Sequence, residues 1–133
     1  MGKKGASSTK NGTILSGSEN LRFRAVHFYR AASGREPVRE WLKQLDRVSR
    51  KRIGGDLYTL QLGWPVGMPL ARKIERGLWE LRSPISDGIA RIMFTEKERK
   101  LILLHGFIKK SQKTAARELA VARRRLRNLN TGK

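Results

Sequence analysis

Two arginines, Arg82 and Arg91, stand inside runs that otherwise read as strand, LWELRS from Leu78 and GIARIMF from Gly88. An arginine in a strand must face solvent, a partner or an anion, because burying an uncompensated charge is too costly. Side chains alternate across a sheet. Trp79 and Leu81 therefore share one face of the first run, and Ala90, Ile92 and Phe94 share one face of the second. Setting Trp79, Leu81, Ile92 and Phe94 beneath helices sends Arg82 and Arg91 out together from the opposite, open face. A bulge in either strand would undo that alignment. The competing use of Arg82 is a cross-strand ion pair with Glu80 or Asp87, which contributes little on an exposed surface.

The next apolar run, Leu101–Ile108, leads into the basic segment Lys109–Lys113 and then a helical pattern. Helix N-termini attract anions because their first N–H groups have no partner within the helix. Lys109, Lys110, Ser111, Lys113 and Thr114 would surround that end as a phosphate site. A capped, solvated helix start explains the segment equally well. Lys and Arg total 30 against 11 Asp and Glu, a net charge of +19. That excess points to an anionic partner, and RNA is the reading that best joins the two arginines to the basic segment.

Other chemistries find little support. The chain has no cysteine, which removes disulfides and cysteine-based zinc sites. It has neither an HExxH motif nor a cluster of carboxylates, and no cofactor is expected. Of its two histidines, His27 lies in a mixed aromatic strand as a half-buried residue. His105 shares its strand face with Leu103 and Phe107, the pattern of a buried structural ring. No run is apolar enough for a bilayer, and the N-terminus has no signal-peptide pattern. The expected location is the cytoplasm, with no membrane partner.

The elements that must position these residues follow in order. Residues 1–20, rich in Gly, Ser, Thr, Asn and Lys, read as a flexible basic arm. Residues 21–129 read as one domain and residues 130–133 as a frayed tail. Leu21–Tyr29 predicts a strand. Pro37 opens a helix with Val38, Trp41, Leu42, Leu45 and Val48 on its inner face. A second helix starts near Ser49, with Ile53, Leu57, Leu60 and Tyr58 as its apolar residues, and ends at Gly63 and Pro65. Strands follow over Met68–Ile74, Leu78–Arg82, Ile89–Phe94 and Leu101–Ile108. A last helix over Ala115–Leu129 carries the stripe Leu119, Ala122, Leu126 and Leu129, with Ser111 or Thr114 as its cap. Strands grouped after a helical pair argue an α+β fold with a mainly antiparallel twisted sheet.

LWELRS, ARIMF and ILLHGFIKKSQKT, followed by an alanine-rich basic helix, together resemble the phage-derived HigB-like branch of the RelE/ParE toxin superfamily. The resemblance spans residues 22–127, and HGFIKKSQKT is its most specific part. Members often have proline after the motif's threonine, where this chain has Ala115. The resemblance implies a RelE-like α+β toxin of a type II toxin–antitoxin pair, with an N-terminal helical hairpin and a C-terminal helix packed on the sheet. Its implied partner is a helix-turn-helix antitoxin, and operator DNA would be reached only through their complex. Many members cleave mRNA on the ribosome. A gyrase poison of the ParE kind, or a basic binding module without catalysis, is the alternative.

By resemblance, Arg82 and Arg91 would bind the scissile phosphate, and Lys109 and Lys110 would contribute at the sheet end. Arg72, Lys110, Ser111, Lys113 and Thr114 are the residues expected to hold RNA. Lys73 is a candidate base or acid, because neighbouring cations lower a lysine pKa. His105 would transfer a proton if it faces the same groove. Such a site uses the substrate's 2′-hydroxyl as nucleophile and needs cations for the developing phosphorane charge.

Overall fold

The structure is a computed structural model that describes residues 23–109 and 115–131. The expected arm over residues 1–20 lies outside the described residues. The chain runs β1 (Ala25–Phe28), α1 (Pro37–Lys43), α2 (Arg47–Gly63), β2 (Ala71–Glu75), β3 (Leu78–Ile85), β4 (Gly88–Lys97), β5 (Lys100–Lys109) and α3 (Ala116–Asn130). This is the α+β order read from the sequence. The strands form one sheet in the order β1-β5-β4-β3-β2.

The sheet is mixed, which corrects the expectation of a mainly antiparallel one. Strands β2 to β5 pair antiparallel in sequence, but β1 lies parallel to β5, Ala25 against Lys100 and Phe28 against Leu103. The α1–α2 pair carries the chain from one sheet edge to the other, and the hairpins then walk back until β5 arrives beside β1. Such a long-range pairing leaves no local sequence signature.

Helix α1 ends earlier than its apolar spacing predicts. The Asp46 carboxylate accepts from the Ser49 backbone N–H at 3.1 Å and from the Ser49 hydroxyl at 2.6 Å, so a new helix begins at Arg47. Val48 therefore falls in the first turn of α2 and is 77% exposed instead of completing the inner face of α1. Tyr58 is also exposed. Strand β2 starts at Ala71, after Met68 and Pro69, with the Arg82 N–H donating to the Leu70 carbonyl at 2.8 Å.

Two apolar clusters flank the sheet. Helices α1 and α2 press Val38, Ile53 and Leu60 onto Leu81, Ile92, Phe94, Leu101 and Leu103, with Trp41 and Trp79 packed against them. Trp41 lies so close to β5 that a Cβ on Gly106 would come within 3.0 Å of its ring, so glycine is required by space there. On the other face α3 sets Leu119, Ala122, Leu126 and Leu129 against Tyr29, Leu78, Met93, Leu104 and Phe107. Arg123 of α3 binds Glu75 of β2 at 2.6 Å, and Lys97 donates to the Leu129 carbonyl at 3.2 Å. The inner stripe of α3 is the one read from its sequence. No helix among the described residues is long and apolar enough to cross a membrane.

Candidate anion-binding site

The register of β3 and β4 puts Arg82 directly opposite Arg91. Opposite residues of an antiparallel pair share a face, so the two arginines project together, as the alternation of the sequence predicts. Trp79, Leu81, Ile92 and Phe94 lie on the other side, beneath α1 and α2. The arginine face is not open, however. Arg82 is 8% exposed and Arg91 0%; α3 packs on this side of the sheet, and Phe107 stands abreast of Arg91 on β5.

Rows across the sheet define the rest of the face. One row runs Arg72, Glu80, Met93 and His105 on β2 to β5, and the next carries Arg82, Arg91 and Phe107. Lys109 sits one row further on, opposite Ile89. Glu80 is fully buried, with its Oε1 3.3 Å from Arg72 Nη2 and 3.4 Å from Arg91 Nη1. A buried carboxylate beside two guanidiniums repays the desolvation of all three groups in part. Burial pushes the Arg91 guanidinium below its ordinary pKa, Glu80 opposes that shift, and the positive charges of Arg82 and Arg72 reinforce it. Arg91 nonetheless stays protonated, as guanidiniums in proteins do.

His105 belongs to the same face but is held within the protein. Its Nε2 lies 2.7 Å from Glu118 Oε1, and Arg125 Nη1 approaches its Nδ1 at 3.4 Å. A carboxylate accepts only and a guanidinium donates only, so the partners select the neutral tautomer with its proton on Nε2. Burial pushes the His105 pKa below its usual value, Glu118 opposes this, and Arg125 and Arg124 add to it. The ring stacks on Phe107 with centroids 5.4 Å apart.

Arg82 also reaches a cavity of about 380 Å³, lined by Arg52, Asp56, Met68, Pro69, Leu70, Pro84 and Ile89 as well. Arg52 Nε donates to Asp56 Oδ2 at 3.1 Å, and the Ser83 hydroxyl donates to the same oxygen.

Of the residues proposed from sequence, Arg72, Arg82, Arg91, His105 and Lys109 share one face of the sheet. Lys73 does not join them. It pairs with Trp79 on the α1–α2 side, its ammonium 5.9 Å from the indole centroid, so the sheet separates it from both arginines. Lys110, Ser111, Lys113 and Thr114 lie outside the described residues. Sequence reasoning passed over Glu80 except as an ion-pair partner for Arg82, although alternation already put it on the arginine face. It passed over Asp56 altogether. Asp56 reads as an ordinary partner of Arg52 one helical turn away, and its bond to Ser83 joins positions 27 residues apart.

No curated protein matches this chain at a significant level. A family model described as phage-derived protein Gp49-like (DUF891) matches residues 40–127, from α1 through most of α3 and across every residue of the arginine face. The chain belongs to this Gp49-like family of phage-derived proteins, a RelE/toxin-like family.

Proposed function

We propose that this protein is the toxin of a type II toxin–antitoxin pair, of the HigB-like kind and with a RelE-like fold, and that it cleaves mRNA bound to the ribosome. The observation that carries this reading is the Arg82–Arg91 pair on adjacent strands, flanked along β5 by His105 on one side and Lys109 on the other. Four residues of strand separate those two by roughly 13 Å at the base, with the arginine row midway. A phosphate held at the arginine row would lie between the two.

In the proposed reaction the 2′-oxygen attacks phosphorus and the bond to the 5′-oxygen breaks. The products are a 2′,3′-cyclic phosphate and a 5′-hydroxyl. Arg82 holds the phosphate oxygens. Arg91, buried beside it, acts from beneath by keeping positive potential at that point and Glu80 in place. Neutral His105 accepts the 2′-hydroxyl proton at Nδ1 as Arg125 gives way, and Glu118 stabilises the imidazolium. Lys109 protonates the departing 5′-oxygen. Lysine is a weak acid for that step, so substrate positioning by the ribosome, worth roughly 7–11 kcal/mol in well-oriented systems, completes the catalysis. The neutralising partner is a helix-turn-helix antitoxin with acidic surface to meet the +19 charge.

The test is a map of mRNA 5′-ends after brief induction of the protein and of Arg82→Ala. New ends at a constant frame position within translated codons, reduced about 100-fold in the variant, are expected. Growth arrest with altered DNA supercoiling and no new ends would instead identify a gyrase poison.

A further inference from the structure

The cavity beside Arg82 has features that phosphate binding alone does not require. Its walls are Met68, Pro69, Leu70, Pro84 and Ile89, all apolar, and its charges are Arg52, Asp56 and Arg82. At about 380 Å³ it falls within the range of small-ligand sites. Apolar walls with a few convergent polar groups suit a flat heterocycle that is read at one edge.

We infer that this cavity is a nucleobase pocket, in which Asp56 selects a base bearing an exocyclic amino group next to the phosphate held by Arg82. The inference rests on the reading above that the arginine face takes RNA. Asp56 is suited to the role by how it is anchored. Among the described residues, its hydrogen bonds from Arg52 and Ser83 both fall on Oδ2, which orients the carboxylate and leaves Oδ1 as an acceptor. Its side chain is 19% exposed, enclosed yet reachable. An ionised carboxylate only accepts. Guanine offers it N1–H and the N2 amino group, and presents O6 and N7 to a guanidinium such as Arg52. Uracil offers a single N3–H between two carbonyls that repel the carboxylate, and so ranks last.

The test measures binding of the four nucleoside 3′-monophosphates to the full chain, followed by the methyl resonances of Met68, Leu70 and Ile89. Guanosine monophosphate should bind about tenfold or more tightly than uridine monophosphate, the size of one hydrogen-bonded base contact. Asp56→Asn keeps an oxygen for Ser83 and Arg52 but turns an N–H₂ donor toward the pocket, so the order should move toward uridine. A reversal of preference, unlike a simple loss, does not arise from misfolding. An oligouridine carrying one guanosine should displace guanosine monophosphate, because the longer strand also meets Arg72 and Lys109. Equal binding of all four nucleotides, an order unchanged in Asp56→Asn, or methyl shifts confined to other regions would overturn the pocket. Failure of the oligomer to displace the mononucleotide would overturn RNA as its occupant. Because binding is read without cleavage, the expected order with no new mRNA ends in cells would uphold the pocket and remove only the nuclease.

Discussion

The two faces of the sheet solve different problems with the same strands. On the α1–α2 side, Trp64 meets Trp79 and Phe94 edge to face at centroid distances of 5.2 and 5.3 Å, over a layer of buried aliphatic residues. On the α3 side the apolar cluster is smaller and shares its rows with Arg72, Glu80, Arg82, Arg91 and His105. The first face draws its stability from area removed from water and close packing. The second buries charge, which is tolerable only because carboxylates and guanidiniums satisfy one another. Glu96 shows the first face's economy with polar groups. Its carboxylate binds Arg24 at 2.6 Å and the Trp64 indole N–H at 3.1 Å, at the margin of the core. Burial raises its pKa, but those two hydrogen bonds and the Arg24 charge prevail and hold it below the usual range.

Removing one group from each face puts this contrast to the test. Phe94→Ala should cost about 3–5 kcal/mol in denaturant unfolding, and no second substitution across the sheet should recover it. Glu80→Ala should cost about as much, since it withdraws the carboxylate from buried Arg91. Here, however, Arg91→Met in the same chain should restore much of the loss. If the double variant is as unstable as the single one, Glu80 acts by packing and the contrast fails. Gly106→Ala comes next, at about 1–3 kcal/mol, because its methyl meets the Trp41 ring. Combining it with Trp41→Leu should relieve the clash and show that the strain belongs to the α1 face.

The smallest expected effect is a pH dependence of the α3 face. With the His105 pKa depressed in the folded protein, the unfolded chain binds the proton more readily. The histidine is neutral in both states well above about 6.5, and stability is lost as pH falls below that value toward the folded pKa. Thermal unfolding between pH 7.5 and 5 should therefore fall less steeply in His105→Gln than in the parent. An identical slope would mean that the neutral ring is not what α3 requires.

The elements were largely legible because their signals are local. Period-2 alternation in β3 and β4 put Arg82 and Arg91 on one face, and the spacing of Leu119, Ala122, Leu126 and Leu129 gave the inner side of α3. Val48 departs from its pattern because helical spacing runs on unbroken through a helix end, and the Asp46–Ser49 cap competes with that pattern without altering it. The site was legible only in part. Alternation gives a residue's face relative to its strand neighbours, which is why the arginine pair was found. It does not assign Lys73 to a side, because that depends on how β2 registers against β3, with a bulge between Lys73 and Glu75.

The order of elements, the basic character of the surface and the shared face of the two arginines are all legible in the chain itself. Each follows from composition or from a repeat only a few residues long. The fold of the whole domain sets β1 parallel to β5, buries the arginine face, places Glu80 between Arg72 and Arg91, and brings Asp56, bonded by Ser83, to a cavity beside Arg82. All of these join residues far apart in the chain, and such pairings are selected by the burial and charge balance of the whole domain, which no local pattern encodes.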